Sequence, residues 1–526
     1  MKNLSLKEKI GQLIVVRTTG YLFDHQIRYP AWEANQQQLQ TWLSEYNIGG
    51  VILLGGSCAE IAQRTKQLNQ WAKTPLLVAA DIEEGVGQRF TGASWFPPPM
   101  ALAQIAQDDL ELAKKYAEEM GKITAKEALC IGVNWIFAPV VDVNNNPDNP
   151  VINVRAFGDN PEVVKELSSA FIRGTQSYPI LNGAKHFPGH GDTSTDSHLD
   201  LPVINHSQAR LEKIELVPFQ GAIALNVDAI MTAHLLVSAY DNQNPATLSH
   251  RILTEELRHN MGFEGLIVTD ALIMGGVAKY APPEKIAVKA LQAGADILLM
   301  PENPVVAIHS IIEAVEKGEI SEHRIDESLQ RVSKAKEKLF KSQESFSFVD
   351  ISTNDSQQVI NEILVKSNQT SVLKPIVGLD KGINLVVVNN LLNCDFLDRQ
   401  SPSITIPDSF GYHAQVFDQC NLYIWENQLI TEPFILQVFV RGNPFRGTAG
   451  LSAIALKAYE QILENHHLQG IMVYGSPYVL DWFKNQIPTP IPWGFSYGQM
   501  AIAQRTICNK MFQLSTNLDI TKGNFL

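Results

Sequence analysis

The sequence is poor in cysteine, in positive charge and in long apolar runs, and each shortage removes a class of protein. Its five cysteines (Cys58, Cys130, Cys394, Cys420 and Cys508) are scattered, odd in number and without CxxC spacing. That speaks against a disulfide framework and against a zinc knuckle and leaves buried thiols as the expectation. Lys and Arg number 42 against 55 Asp and Glu, a formal net charge of −13. No basic run of the kind that neutralises phosphates is present, so nucleic acid is not an expected partner. No window holds about 18 uninterrupted apolar residues, and the opening MKNLSLKEKIGQLIVV lacks the apolar stretch and cleavage site of a secretory signal. The expectation is a soluble, cytoplasmic chain with no membrane partner. Internal repeats of fixed period are absent too.

What is present is enough for large cores. The 526 residues are 45% apolar, which suits roughly two or three domains. In the first 340 residues, eight short β-branched runs recur: GQLIVVRT, GGVILLG, LLVAADI, NWIFAPVVDV, LNGAKHF, DAIMTAH, GLIVTDA and ADILLMP. Most are apolar throughout, the mark of strands covered by helices on both faces. Amphipathic stretches such as DDLELAKKYAEEMGKITAKEALC lie between them, and Asn160 followed by Pro161 has the cap-then-proline form of a helix start. The alternation predicts an α/β fold, a (β/α)8 TIM-type barrel over 1–340, though a long doubly wound sheet alternates in the same way. A polar linker over 341–355 then leads to a smaller α/β domain over 356–526, with strand-like runs INLVVVNN, LYIWEN, ILQVFVRG and GIMVYG.

A barrel keeps its active site at the C-terminal ends of its strands. Polar residues collect there: Asp81 at the end of the third run, Asp142 of the fourth, Lys185 and His186 of the fifth, His234 of the sixth and Asp270 of the seventh. The densest stretch is GAKHFPGHGDTSTDSH, residues 183–198. A packed core cannot use so many ionisable groups without partners, so the stretch reads as a site. Metal ligation by His186, His190, Asp192, Asp196, His198 and Asp270 is one option, weakened because Pro188 and Gly189 keep His186 and His190 off a shared helix face. A serine nucleophile at Ser197 lacks the strand–elbow–helix context. Glycoside hydrolysis needs a carboxylate on one side of the scissile bond and a proton donor on the other. Asp270 suits the first role. His198 suits the second, because an imidazole gives and takes a proton near neutral pH, with Asp196 to orient it.

The strings KHFPGHGDTSTDSHLDLP, AIMTAHL, PATLSHRILTEELRHNMGFEGLIVTDAL, NVRAFGDNPE and DIEEGVGQRF resemble the glycoside hydrolase family 3 β-N-acetylhexosaminidases. The resemblance runs in order through nearly the whole first domain. It implies a retaining hydrolase without a cofactor or metal, in which Asp270 forms a glycosyl-enzyme and His198, assisted by Asp196, is acid and then base. It also implies sugar-binding roles for Asp81, Arg89, Arg155, Lys185 and His186, with Phe157, Phe187 and Met274 as walls. The implied partner is a small carbohydrate, an N-acetylglucosaminide such as a muropeptide fragment. A phosphorylase of the same family, a metal-dependent barrel hydrolase and an inactive sugar-binding protein are the alternatives, and oligomeric state is open. One departure is visible: where the family pattern has glycine and arginine, DIEEGVGQR has Glu84 and Val86. Gly189 and Gly191 around His190 further suggest that residues 189–198 close over a bound sugar.

Overall fold

The computed structural model describes residues 4–513 except 198, 341–345, 372–374, 395, 420, 423–430, 442–449 and 488–490. The chain divides into two compact units, the first built on residues up to Ile360 and the second beginning at Asn361.

The eight apolar runs of the first unit form eight strands: β1 (Ile14–Thr19), β2 (Gly50–Leu54), β3 (Leu77–Ala80), β4 (Trp135–Ile136), β5 (Leu181–Phe187), β6 (Ala229–Thr232), β7 (Leu266–Val268) and β8 (Leu298–Leu299). They pair in parallel in the order β8-β1-β2-β3-β4-β5-β6-β7. A single bridge, Val268 to Ile297, brings β7 to the start of β8 and nearly closes the barrel. Every residue of β1, β3 and β5 is buried, as strands packed on both faces require.

Helices cover the outside where the sequence places them. Asp109 caps Leu110–Cys130 by accepting from Leu112 N–H. Asn160 caps Pro161–Thr175 by accepting from Glu162 and Val163 N–H, with Pro161 supplying the preset first turn. Past the barrel, Lys126 pairs with Asp350 at 2.9 Å and the carboxylate of Glu127 accepts from Ser352 N–H at 2.8 Å. The end of the expected linker is thus tied to helix Leu110–Cys130. No helix among the described residues is long and apolar enough to cross a membrane.

The second unit is a six-stranded sheet of β9 (Gln369–Thr370), β10 (Gly382–Val388), β11 (Tyr412–Asp418), β12 (Phe434–Val440), β13 (Leu468–Gly475) and β14 (Trp493–Ser496). Its order is β9-β14-β13-β12-β10-β11, and only β9 runs antiparallel to its neighbour. Most of the run LYIWEN lies outside the described residues. The strand on the sheet's edge is instead YHAQVFD, whose middle is exposed.

Candidate active site

The C-terminal end of β5 sets two side chains toward the barrel mouth. Lys185 pairs with Met231 of β6 and Phe187 with Thr232, so His186 is an extra residue in the ladder. Such a bulge re-aims neighbouring side chains. Lys185 reaches β3, where its Nζ lies 2.7 Å from Asp81 Oδ1 and 2.7 Å from Glu83 Oε1. His186 turns to the segment after β4, where its Nδ1 lies 2.8 Å from Asp142 Oδ2. A carboxylate at Nδ1 fixes that nitrogen as the donor, and Nε2 makes no hydrogen bond among the described residues.

Glu83 is the centre of the charged group. Arg155, at the end of a short 3-10 turn (Asn153–Arg155), donates to it through two nitrogens at 2.8 Å each and through a third to Val151 O at 2.9 Å. Burial alone would raise the Glu83 carboxyl, but Arg155 and Lys185 together hold it well below the usual carboxylate range. Burial likewise works against the charge on Lys185, and Asp81 and Glu83 overcome it, so the ammonium titrates above its ordinary value. All three charges therefore stay on near neutral pH. Asp81 keeps Oδ2 without a hydrogen bond among the described residues, and Arg89 folds back to donate from Nε to Asp81 O at 3.0 Å. A half-buried carboxylate, a guanidinium and a fixed imidazole are groups whose chemistry can donate to and accept from vicinal hydroxyls.

The altered DIEEGVGQR loop closes between these two ends. Val86 is fully buried in place of a charged side chain, and Glu84 is buried as well, its Oε2 accepting from Trp95 Nε1 at 3.0 Å. The substitutions therefore build the wall behind the loop, and Asp81 and Arg89 remain adjacent.

Asp142 holds two segments at once. It is fully buried and accepts from His186 N–H, from the His186 ring and from His190 N–H at 2.6 Å. Desolvation would raise its carboxyl, but these partners, led by the charge of His186, keep it below the ordinary aspartate value. From His190 onward the loop is packed against the segment after β4. Gly191 leaves no room for a side chain, since a Cβ there would lie 1.7 Å from Val143 O. Asn149 Nδ2 donates to His190 O at 2.8 Å and Gly191 O at 2.9 Å.

The His190 ring bridges the loop, with Nδ1 2.8 Å from Thr193 Oγ1 and Nε2 2.9 Å from Ser197 Oγ. Burial pushes that imidazole down to about 4, against the pull of Asp142 and Asp270. It is neutral near pH 7 and holds Ser197 by a neutral hydrogen bond. Ser197 O accepts from Gly276 N–H at 3.0 Å, which pins the far end of the loop beside the segment that follows β7. Asp196 is buried in this stretch, while Ser194 and Thr195 are exposed. His198 itself lies outside the described residues.

Asp270 stands two residues beyond β7, half-buried, with Oδ1 accepting from Ala271 N–H at 2.7 Å. His234 is fully buried and links strand ends, its ring nitrogens 2.8 Å from Thr247 Oγ1 and 3.0 Å from Ala271 O. It supports the backbone next to Asp270. Phe157, Phe187 and Met274 are buried too. The strand ends thus gather Asp81, Lys185, His186 and Asp270 on one rim, with Arg155 joined through Glu83. Among the described residues no three His, Cys, Asp or Glu side chains are grouped to hold a metal ion.

Two of these residues were not assigned a site role from sequence. Asp142 stood at a strand end and carried that signal. Glu83 lies two residues past Asp81, and its role was not read from the sequence.

Comparison with known proteins places the fold in a family. The N-terminal domain model of glycosyl hydrolase family 3 matches residues 5–335, and the bacterial family 3 C-terminal domain model matches residues 376–513. Beta-hexosaminidase A of Pseudoalteromonas piscicida is 34% identical over 348 residues, 60% of this chain and 57% of that protein. The chain therefore spans little more than half the length of that relative. A beta-hexosaminidase of Tolumonas auensis is 39% identical over 265 residues, 50% of this chain and 78% of that protein. Among solved structures, a family 3 beta-N-acetylglucosaminidase from Paenibacillus sp. str. FPU-7 superposes with a TM-score of 0.79 at 29% identity and covers 97% of each chain. With a family model matched across the whole barrel and a second across the sheet that follows it, the chain belongs to glycosyl hydrolase family 3.

Proposed function

We propose that the protein is a retaining β-N-acetylglucosaminidase that removes terminal β-linked N-acetylglucosamine. The observation that supports this best is the charged group Asp81–Lys185–Glu83–Arg155 beside the Asp142–His186 pair, on the same rim as Asp270. In this reading Asp81, Arg89, Arg155, Lys185 and His186 hold the sugar. Asp270 attacks the anomeric carbon as the C–O bond to the leaving group breaks, and His198 gives its proton to the departing oxygen. In the second half His198 takes a proton from water, whose oxygen displaces Asp270, and Asp196 supports the imidazolium each time. The beta-hexosaminidase names of the relatives point to the amino sugar. Cell-wall (muropeptide) fragments in the cytoplasm are the proposed source. Free thiols at Cys58, Cys130, Cys394 and Cys508 fit a reducing compartment.

A nitrophenyl N-acetyl-β-glucosaminide should be hydrolysed in plain buffer, equally well with EDTA present. Turnover that appears only with added phosphate, and releases a sugar phosphate, would replace hydrolysis by phosphorolysis. Turnover abolished by EDTA would favour the metal-dependent alternative, and none under any condition would leave a binding protein.

The acid has its own signature. His198→Ala should lower kcat on a disaccharide by about a hundredfold or more, while nitrophenyl glycosides lose far less, since nitrophenolate leaves with little proton assistance. Equal losses on both substrates would remove His198 from that role.

A further inference from the structure

Asp142 is fully buried, and its two oxygens face different segments of the chain. Oδ2 lies 2.8 Å from His186 Nδ1, and Oδ1 accepts from His190 N–H at 2.6 Å, where the loop toward Asp196 begins. His186 N–H sits between them, 3.2 Å from each oxygen. The segment that carries Asp142 is laced to β5 by its backbone: Val141 N–H donates to Lys185 O at 2.8 Å, and Lys185 N–H to Pro139 O at 3.2 Å. The carboxylate cannot follow one partner without moving against the other.

A charge in this place needs a reason. Asp296, equally buried, is met by Arg258 at 2.7 Å and by Arg331 at 3.0 Å. Asp142 has no Lys or Arg at ion-pair distance among the described residues, only the His186 ring. Taking a carboxylate out of water is costly, and the neutral oxygen of an amide would satisfy a backbone N–H as well. The ring is the one partner that tells a carboxylate from an amide. Opposite a group that only accepts, Nδ1 must carry the hydrogen, so in the neutral imidazole Nε2 is left as a lone pair. His186 is 5% exposed, and this nitrogen makes no hydrogen bond among the described residues. It can accept from a sugar hydroxyl, whereas in the other neutral tautomer it could only donate.

We propose that Asp142 is a positioning residue: its Oδ2 sets the His186 imidazole with Nε2 as the acceptor for a hydroxyl of the terminal sugar, and its Oδ1 anchors the start of the loop that carries Asp196 and His198. The proposal rests on the glycosidase reading above. One carboxylate then keeps the sugar-holding ring and the proton-donating segment in a common register without touching the substrate itself.

Asp142→Asn separates the two ties, because an amide has one accepting and one donating end. The oxygen stays with His190 N–H, a buried backbone donor that cannot give up its hydrogen. The NH2 group then meets Nδ1, and the ring must carry its hydrogen on Nε2. Nitrogen-15 NMR of histidine-labelled protein, at a pH of about 9 and so above the ordinary imidazole range, reads the tautomer directly, with His186→Gln identifying the signals. The parent should show the hydrogen on Nδ1 and Asp142→Asn on Nε2, and the same tautomer in both would overturn the proposal. On a nitrophenyl N-acetyl-β-glucosaminide, Asp142→Asn should raise KM at least tenfold. Added to His186→Gln it should raise KM less than threefold, because it acts through that ring; additive losses would refute this action. Asp142→Ala removes both ties. Its kcat on the β-linked disaccharide of N-acetylglucosamine should fall at least tenfold further than on the nitrophenyl glycoside, and equal falls would refute the anchoring of the loop. A parent protein that cleaves neither substrate would refute the glycosidase reading, and the NMR comparison, which needs no turnover, would still decide what Asp142 does to His186.

Discussion

Asp270→Asn is expected to remove nearly all turnover while binding of the product sugar survives. Asn has the shape of Asp, and its Oδ1 can still accept the Ala271 N–H that orients the carboxylate at 2.7 Å. What is lost is the charge that attacks, and an amide is a far weaker nucleophile. The position is held by β7 on one side and by the segment under His234 on the other, so the exchange should leave the backbone where it is. A fall in kcat on the order of a thousandfold or more is expected. Product affinity within about threefold, measured by calorimetry, should accompany it. Activity within tenfold of the parent would mean that another group forms the glycosyl intermediate.

Much of this was legible in the sequence for a physical reason. Parallel strands covered on both faces are apolar throughout, so all eight barrel strands could be read directly, and residues just past them fall at the barrel mouth by topology. Asp81, Lys185, His186 and Asp270 were placed at strand ends in that way. The misses have equally plain causes. The β11 edge strand YHAQVFD is exposed along its middle and so lacks the apolar signature. Glu83 acquires its meaning from Arg155 and Lys185, 72 and 102 positions away, and no local pattern carries that information. The histidine-rich stretch stood out in the sequence, but not its division of labour. His186 faces the site with Asp142 at its back, whereas His190 is spent on tying Thr193 to Ser197. Those ties also bear on loop closure. Movement of residues 189–197 as a body would break the His190–Asp142 and Ser197–Gly276 bonds, while Ser194 and Thr195 are free of such burial.

Glu83→Gln is expected to have the second largest effect, on KM and on stability together. The amide keeps the volume and can still accept hydrogen bonds, but Arg155 and Lys185, with side chains 12% and 2% exposed, lose the anion between them. Lys185 would keep its pair with Asp81, while Arg155 would lose its paired carboxylate and feel only the charges of Asp81 and Asp142. Removing one partner of a buried ion pair costs about 3 kcal/mol or more, so the thermal midpoint should fall by several degrees. Under the proposed function Arg155 and Lys185 would also cease to be held toward the sugar, and KM should rise more than tenfold with a smaller change in kcat. A purely structural role would lower stability and leave the KM of the folded fraction unchanged. The pH dependence gives an independent check. Glu83 titrates well below its ordinary value of 4.5 in the folded protein, so its contribution is complete above that value and is lost as pH falls below it, where the unfolded chain takes up the proton first. The slope of unfolding free energy against pH below about 4.5 should therefore be shallower in Glu83→Gln than in the parent. Parallel slopes, with KM unmoved, would show that Arg155 and Lys185 are held in place without Glu83.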